Sequence, residues 1–169
     1  QTMTTAIYPG SFDPPTLGHL DIIKRSSAIF DELIICVMHN GAKAGSLFTC
    51  KERAELLRSI TAELPNVRID MYGGLLADYV KGYDSPVVIR GLRAVTDFDC
   101  EFQMAAINKK LNPAIETMFM VASERYTFLS SSVVRELGRY RRELTCFVPK
   151  EVEAAVHQKF FRLPDGAEN

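Results

Sequence analysis

The chain has 169 residues, with 20 Lys and Arg against 21 Asp and Glu, for a formal net charge of −1. That length suits one domain with a sizeable core, and the even balance speaks against nucleic acid or an anionic membrane as the main partner. The hydrophobic content of 47% is that of an ordinary soluble protein, and runs such as 33–38 and 118–122 are far short of the ~20 residues that cross a bilayer.

Gln1 and Thr2 precede Met3 and read as additions ahead of the start. Residues 3–161 read as one domain without repeats or a linker. Residues 5–8 predict a strand and 17–30 a helix, with Leu20, Ile23 and Ile29 among its apolar positions. Residues 33–38, with Ile34, Ile35 and Val37, form the continuous apolar run of a strand buried on both faces. Thr49-Cys50-Lys51-Glu52 matches a capping box, and Leu56, Leu57 and Ile60 follow on one helix face. Then come a weaker strand over 67–71, a short helix over 75–81 and a β-branched strand over 86–89. A helix over 97–111, a strand over 117–121 and helices over 130–140 and 151–161 complete the set. The polar tail 162–169, with Pro164 and Gly166, reads as frayed. This alternation predicts an α/β fold, a Rossmann-like, doubly wound, five-stranded parallel sheet with helices on both faces. Ligands of such sheets bind beyond the carboxyl ends of the strands.

Cys36, Cys50, Cys100 and Cys146 are scattered, with no Cys-x-x-Cys pair, and the N-terminus lacks the basic-then-apolar layout of a signal peptide. Free thiols in a reducing, cytoplasmic compartment and no protein metal site are the expectation.

Three segments stand where chemistry belongs. Tyr8-Pro9-Gly10-Ser11-Phe12-Asp13-Pro14-Pro15-Thr16-Leu17-Gly18-His19 leaves the first strand and enters the first helix. A helix N-terminus after such a turn offers unpaired N–H groups and a positive dipole end to an anion. Ser11 adds a hydroxyl, and His19 lies within reach of a phosphate. Arg90-Gly91-Leu92-Arg93 sets two guanidinium forks, which match phosphate geometry, just after a predicted strand. Ser130-Ser131-Ser132 opens a helix after the last strand, and three serines there exceed what an N-cap needs. Neither Gly-x-Gly-x-x-Gly nor Gly-x4-Gly-Lys-Ser/Thr occurs, so a dehydrogenase and a P-loop NTPase are poor readings.

The segment Gly10-Ser11-Phe12-Asp13-Pro14, Thr16 and Gly18-His19 resembles the signature of nucleotidyltransferases with a Gly-His pair at the start of helix one. The resemblance is greatest to the phosphopantetheine adenylyltransferases and runs from about Ala6 to about Val156. It implies transfer of AMP from ATP to 4′-phosphopantetheine, with release of pyrophosphate and formation of dephospho-coenzyme A. His19 is then the catalytic, transition-state-stabilising residue. Ser11, Phe12, Gly91, Leu92, Arg93 and Glu101 contact ATP, as does the segment Tyr126, Thr127, Phe128, Leu129, Ser130, Ser131 and Ser132. Ser11, Lys43, Leu76 and Arg90 hold the acceptor, although Leu76 would serve equally as a core leucine. Ala44 and one extra loop residue beside Lys43, and Cys100 where relatives often carry an aromatic residue, depart from the family pattern. Mg²⁺ bridging the ATP phosphates, a homohexamer and feedback binding of coenzyme A are further implications. The rivals are a sister nicotinate mononucleotide adenylyltransferase or cytidylyltransferase, and a non-catalytic nucleotide sensor on the same fold.

Overall fold

The computed structural model describes residues 3–39 and 45–161; Lys43 and the tail 162–169 lie outside them. Five parallel strands, β1 (Thr5–Gly10), β2 (Glu32–Met38), β3 (Val67–Tyr72), β4 (Val87–Leu92) and β5 (Glu116–Val121), form one sheet in the order β3-β2-β1-β4-β5. The helices are α1 (Leu17–Ser27), α2 (Cys50–Ile60), α3 (Leu76–Tyr79), α4 (Val95–Leu111), α5 (Ser131–Arg139) and α6 (Lys150–Phe161).

Side-chain alternation along the central strands separates two cores. Ala6, Tyr8, Leu33, Ile35 and Val37 face one side, with Ile22 and Ile23 of α1 and Ala54 and Leu57 of α2. Ile7, Ile34, Cys36 and Val88 face the other, with Ala77 of α3 and Val80 just after it. The apolar run in β2 therefore needed no polar alternation, because both its faces are covered. A third cluster joins Leu129, Val134, Leu144 and Val148 to Val152 and Val156 of α6.

Several boundaries differ from the sequence expectation, and those of α1, β4 and α4 bear on the site. Helix α1 ends at Ser27 rather than at 30. The N–H groups of Ile29 and Phe30 both turn back onto the Ser26 carbonyl, which leaves Ile29 59% exposed although its spacing is helical. Strand β4 runs on to Leu92, because Arg90, Gly91 and Leu92 continue the register opposite Phe119, Met120 and Val121. The Arg-Gly-Leu segment is thus the end of a strand rather than the loop behind it. Helix α4 begins two residues before the expected Asp97.

The strand order reverses between β1 and β4, and there the sheet opens. The β1–β4 ladder ends at Ile7–Val88, and the next β1 residues include Pro9, which has no N–H to offer. A cleft at the carboxyl ends of β1 and β4 follows from this topology.

Candidate active site

The signature loop is fastened from three directions. Asp13, 6% exposed, accepts the backbone N–H groups of Leu47 and Phe48 at 2.9 Å each. Its carbonyl accepts from Arg135, and the Pro14 carbonyl accepts the Ser131 hydroxyl at 2.8 Å. Arg53 of α2, 4% exposed, donates to the Ser11 carbonyl at 2.7 Å. Phe12 is held in the left-handed region at φ 50 by burial of its ring between Tyr8 (5.3 Å) and His19 (5.0 Å). Gly10 is required beneath that ring, since a Cβ there would meet it at 3.0 Å.

His19 closes an unusual capping box on α1. Its N–H donates to Thr16 Oγ1 at 3.3 Å, while the Thr16 N–H donates to His19 Nδ1 at 3.0 Å. An Nδ1 that accepts carries no proton, so the neutral ring bears its hydrogen on Nε2. Burial lowers its pKa to about 4, and the charges of Arg93 and Arg90 add to the shift. At neutral pH, His19 is therefore an uncharged N–H donor in the cleft.

Arg90 and Glu101 form a bidentate pair, with Nε and Nη2 each 2.7 Å from a carboxylate oxygen, and Arg90 Nη1 reaches the Pro9 carbonyl at 3.0 Å. Arg90 thus bridges the gap between β4 and β1. Arg93 pairs with Asp97 at 3.3 Å and donates to the Leu129 carbonyl at 2.9 Å, tying the end of β4 to the approach to α5. At the start of α5, Ser130 caps the Val133 N–H at 3.2 Å and Ser132 accepts from Arg135. With Ser131 bonded to Pro14, these hydroxyls build the fold, and the N–H groups of the first turn are what α5 offers to an anion.

These groups enclose a cleft of about 370 Å³. Of the residues singled out from sequence, Ser11, Phe12, His19, Arg90, Gly91 and Arg93 line it, together with Glu101, Tyr126, Leu129, Ser130 and Ser131. Leu92, Thr127, Phe128 and Ser132 are absent from its walls: Thr127 bonds back to the Glu124 carbonyl, and Phe128, 61% exposed, lies edge-on to Phe147. Leu76 lines an adjoining cleft of about 320 Å³, which shares Pro9, Gly10, Ser11, Arg90 and Glu101 with the first. Ile22, Asp97 and Ala122 also line the first cleft and were not expected from sequence, as does Tyr8, which opens the first signature segment but was given no role in it. Tyr8 and Ile22 sit at periodic apolar positions, which read as core.

The cytidylyltransferase-like family model matches residues 7–137. A curated relative from Caldanaerobacter subterraneus subsp. tengcongensis, phosphopantetheine adenylyltransferase, is 50% identical over 158 residues, covering 94% of this chain and 98% of its own. Among solved structures, a provisionally assigned nicotinate-nucleotide adenylyltransferase from Vibrio parahaemolyticus superposes with a TM-score of 0.68 over 95% of this chain and 96% of that one. At 18% identity that likeness is one of fold.

Proposed function

The chain belongs to the cytidylyltransferase-like family and, within it, to the phosphopantetheine adenylyltransferases, and from that premise we propose how its two clefts carry out adenylyl transfer in coenzyme A biosynthesis. ATP lies in the cleft of His19 and α5, and 4′-phosphopantetheine lies in the adjoining one. An acceptor phosphate oxygen forms a bond to the α-phosphorus of ATP. The bond from that phosphorus to the α,β-bridging oxygen breaks in line, and pyrophosphate leaves with the electron pair. The acceptor phosphate is mostly a dianion above pH ~6, so no protein base is needed. Positioning and charge stabilisation carry such a reaction. The His19 Nε2–H serves the charge that builds on the α-phosphoryl oxygens, the first-turn N–H groups of α5 serve the outer phosphates, and Ser11 and Arg90 stand where both substrates meet. Lys43 is assigned to the acceptor phosphate by the family resemblance.

The observation that carries this reading is the shared wall of the two clefts at Ser11 and Arg90, beside His19. The acceptor cleft is walled by Met38, Leu75, Leu76, Val88 and Met104, and its described lining holds no aromatic ring on which a base would stack. A long, weakly polar arm suits it better than a second nucleotide. Mg²⁺ would enter with ATP as part of the substrate and would offset the charge of its phosphates. The cleft carboxylates Glu101 and Asp97 are already engaged by Arg90 and Arg93. Pyrophosphate release with Mg²⁺, ATP and one acceptor at a time tests the reading. Turnover with 4′-phosphopantetheine is expected; turnover with nicotinate mononucleotide alone, or with CTP in place of ATP, would overturn it.

We also propose a homohexamer in the cytoplasm, with coenzyme A, built from the same adenylate and pantetheine parts, as a feedback ligand of the two clefts. Among the described residues no helix is long and apolar enough to cross a membrane. Helix α4 supports assembly: Phe98, Phe102, Met104, Ile107 and Leu111 are all more than 40% exposed. Phe98 and Phe102 stack 5.7 Å apart on one side of the helix, Ile107 and Leu111 lie on the other, and a monomer rarely leaves so much large apolar surface in water. Sedimentation should find a species several times 18.9 kDa, and Phe102→Glu should shift it toward the single chain. A lone 18.9 kDa species for the unaltered protein at micromolar concentration would refute assembly.

A further inference from the structure

We infer that the Tyr8 hydroxyl donates a hydrogen bond to the nucleoside part of the bound nucleotide, a contact that neither Ser11, His19 nor the arginine motif supplies. The inference rests on the assignment of the His19 cleft to ATP. Tyr8 is 6% exposed, with its ring edge-on to Phe12 in the main core. Its hydroxyl bonds to no described side chain or backbone group, yet no fully enclosed side-chain oxygen or nitrogen lacks a partner. The hydroxyl therefore opens onto the cleft that the residue lines. Burial, reinforced by Glu101, raises its pKa against the lowering by Arg90 and Arg93, so it stays protonated and can donate.

Its place within the cleft selects the ligand part. A Cβ built on Gly91 would lie 3.9 Å from the Tyr8 hydroxyl and 3.7 Å from Ile22 Cγ1, so the three residues form one wall. Ile22 stands one helical turn beyond Gly18, hence roughly 5 Å further from the α1 N-terminus, where phosphate is favoured. The adjoining cleft, by contrast, does not include Tyr8. A phenylalanine would fill the same core volume, so packing alone gives no reason for the oxygen.

Tyr8→Phe tests this by removing one atom and no packing. ATP affinity, by calorimetry and as KM, should fall about tenfold, the worth of one hydrogen bond. KM for the acceptor and the melting temperature should hold. With 2′-deoxy-ATP or 3′-deoxy-ATP, loss of the penalty places the bond on the sugar, and its persistence with both places it on the base; either outcome supports the inference. Unchanged ATP affinity in Tyr8→Phe would overturn it while leaving adenylyl transfer standing. An equal rise in both KM values, or a melting temperature several degrees lower, would also overturn it, by showing a general structural role. Failure of the unaltered protein to bind ATP at all would remove both the assignment of the cleft and this contact.

Discussion

His19→Ala is expected to lower kcat about 10²–10³-fold, the usual cost of removing one donor aimed at developing charge. ATP affinity should change far less, because on the proposed reading the first-turn N–H groups of α5 would hold the outer phosphates without it. A loss that appeared in KM alone would show uniform binding and refute the role. The structure adds a charge state to this expectation. Thr16 occupies Nδ1 as a donor, so the ring works as a neutral Nε2–H rather than as an imidazolium. A neutral side chain with an N–H at similar reach should then recover part of the rate, and His19→Gln should exceed His19→Ala. The pH dependence follows with a definite sign. With a folded pKa of about 4 against the ordinary 6.5, His19 changes no charge between pH 8 and pH 5, and kcat should show no step from it there. For stability, the folded state binds fewer protons than the unfolded state between those two values. The contribution is full above pH 6.5 and is lost as pH falls toward 4, at up to about 1.4 kcal/mol per pH unit. Histidine NMR across this range checks both: a His19 signal titrating near 6.5 would contradict the geometry.

The sheet was legible because its signal is local. β2 announces itself by six successive apolar residues, and every predicted strand is present within a few residues of its expected ends. The boundaries were less legible where polarity and backbone pairing disagree. Arg90 reads as loop because it is charged, but its backbone stays in register with β5 while its side chain finds Glu101 eleven residues on. Ile29 and Phe30 read as helix because they are apolar and well spaced, yet the chain has already turned. Within the site, the motif residues that reach the cleft were marked by glycine, proline and charge. The residues that aim them were not. Asp13, Arg53 and Arg135 hold backbone groups 34 to 122 residues away, and no periodicity reports such a partner. Arg135, three residues after Ser132, holds both the Asp13 carbonyl and the Ser132 hydroxyl.

Arg90→Ala is expected to raise KM for 4′-phosphopantetheine roughly 10- to 100-fold, the range for losing a charge-assisted hydrogen bond, with a smaller effect on KM for ATP. The guanidinium has five N–H donors, of which three are used by Glu101 and Pro9. Two remain free to reach an acceptor phosphate, so on the proposed reading Arg90 would bind as the pivot of a fixed pair, not as a free fork. The same pairing predicts a second effect. Without Arg90, the half-buried Glu101 carboxylate faces the cleft uncompensated, repels incoming phosphate and destabilises the fold by about 1–3 kcal/mol. Arg90→Lys should separate the two contributions, since it keeps the charge but loses the fork: KM for the acceptor should recover more than the melting temperature does. Adding Glu101→Gln to Arg90→Ala should restore part of the stability and part of the acceptor affinity, because it removes the repulsion. If the double substitution binds the acceptor no better than Arg90→Ala alone, the carboxylate plays no part and direct contact accounts for the whole loss. If Arg90→Ala raises KM for ATP as much as KM for the acceptor, Arg90 belongs to the nucleotide cleft, and the shared wall is not where the acceptor phosphate sits.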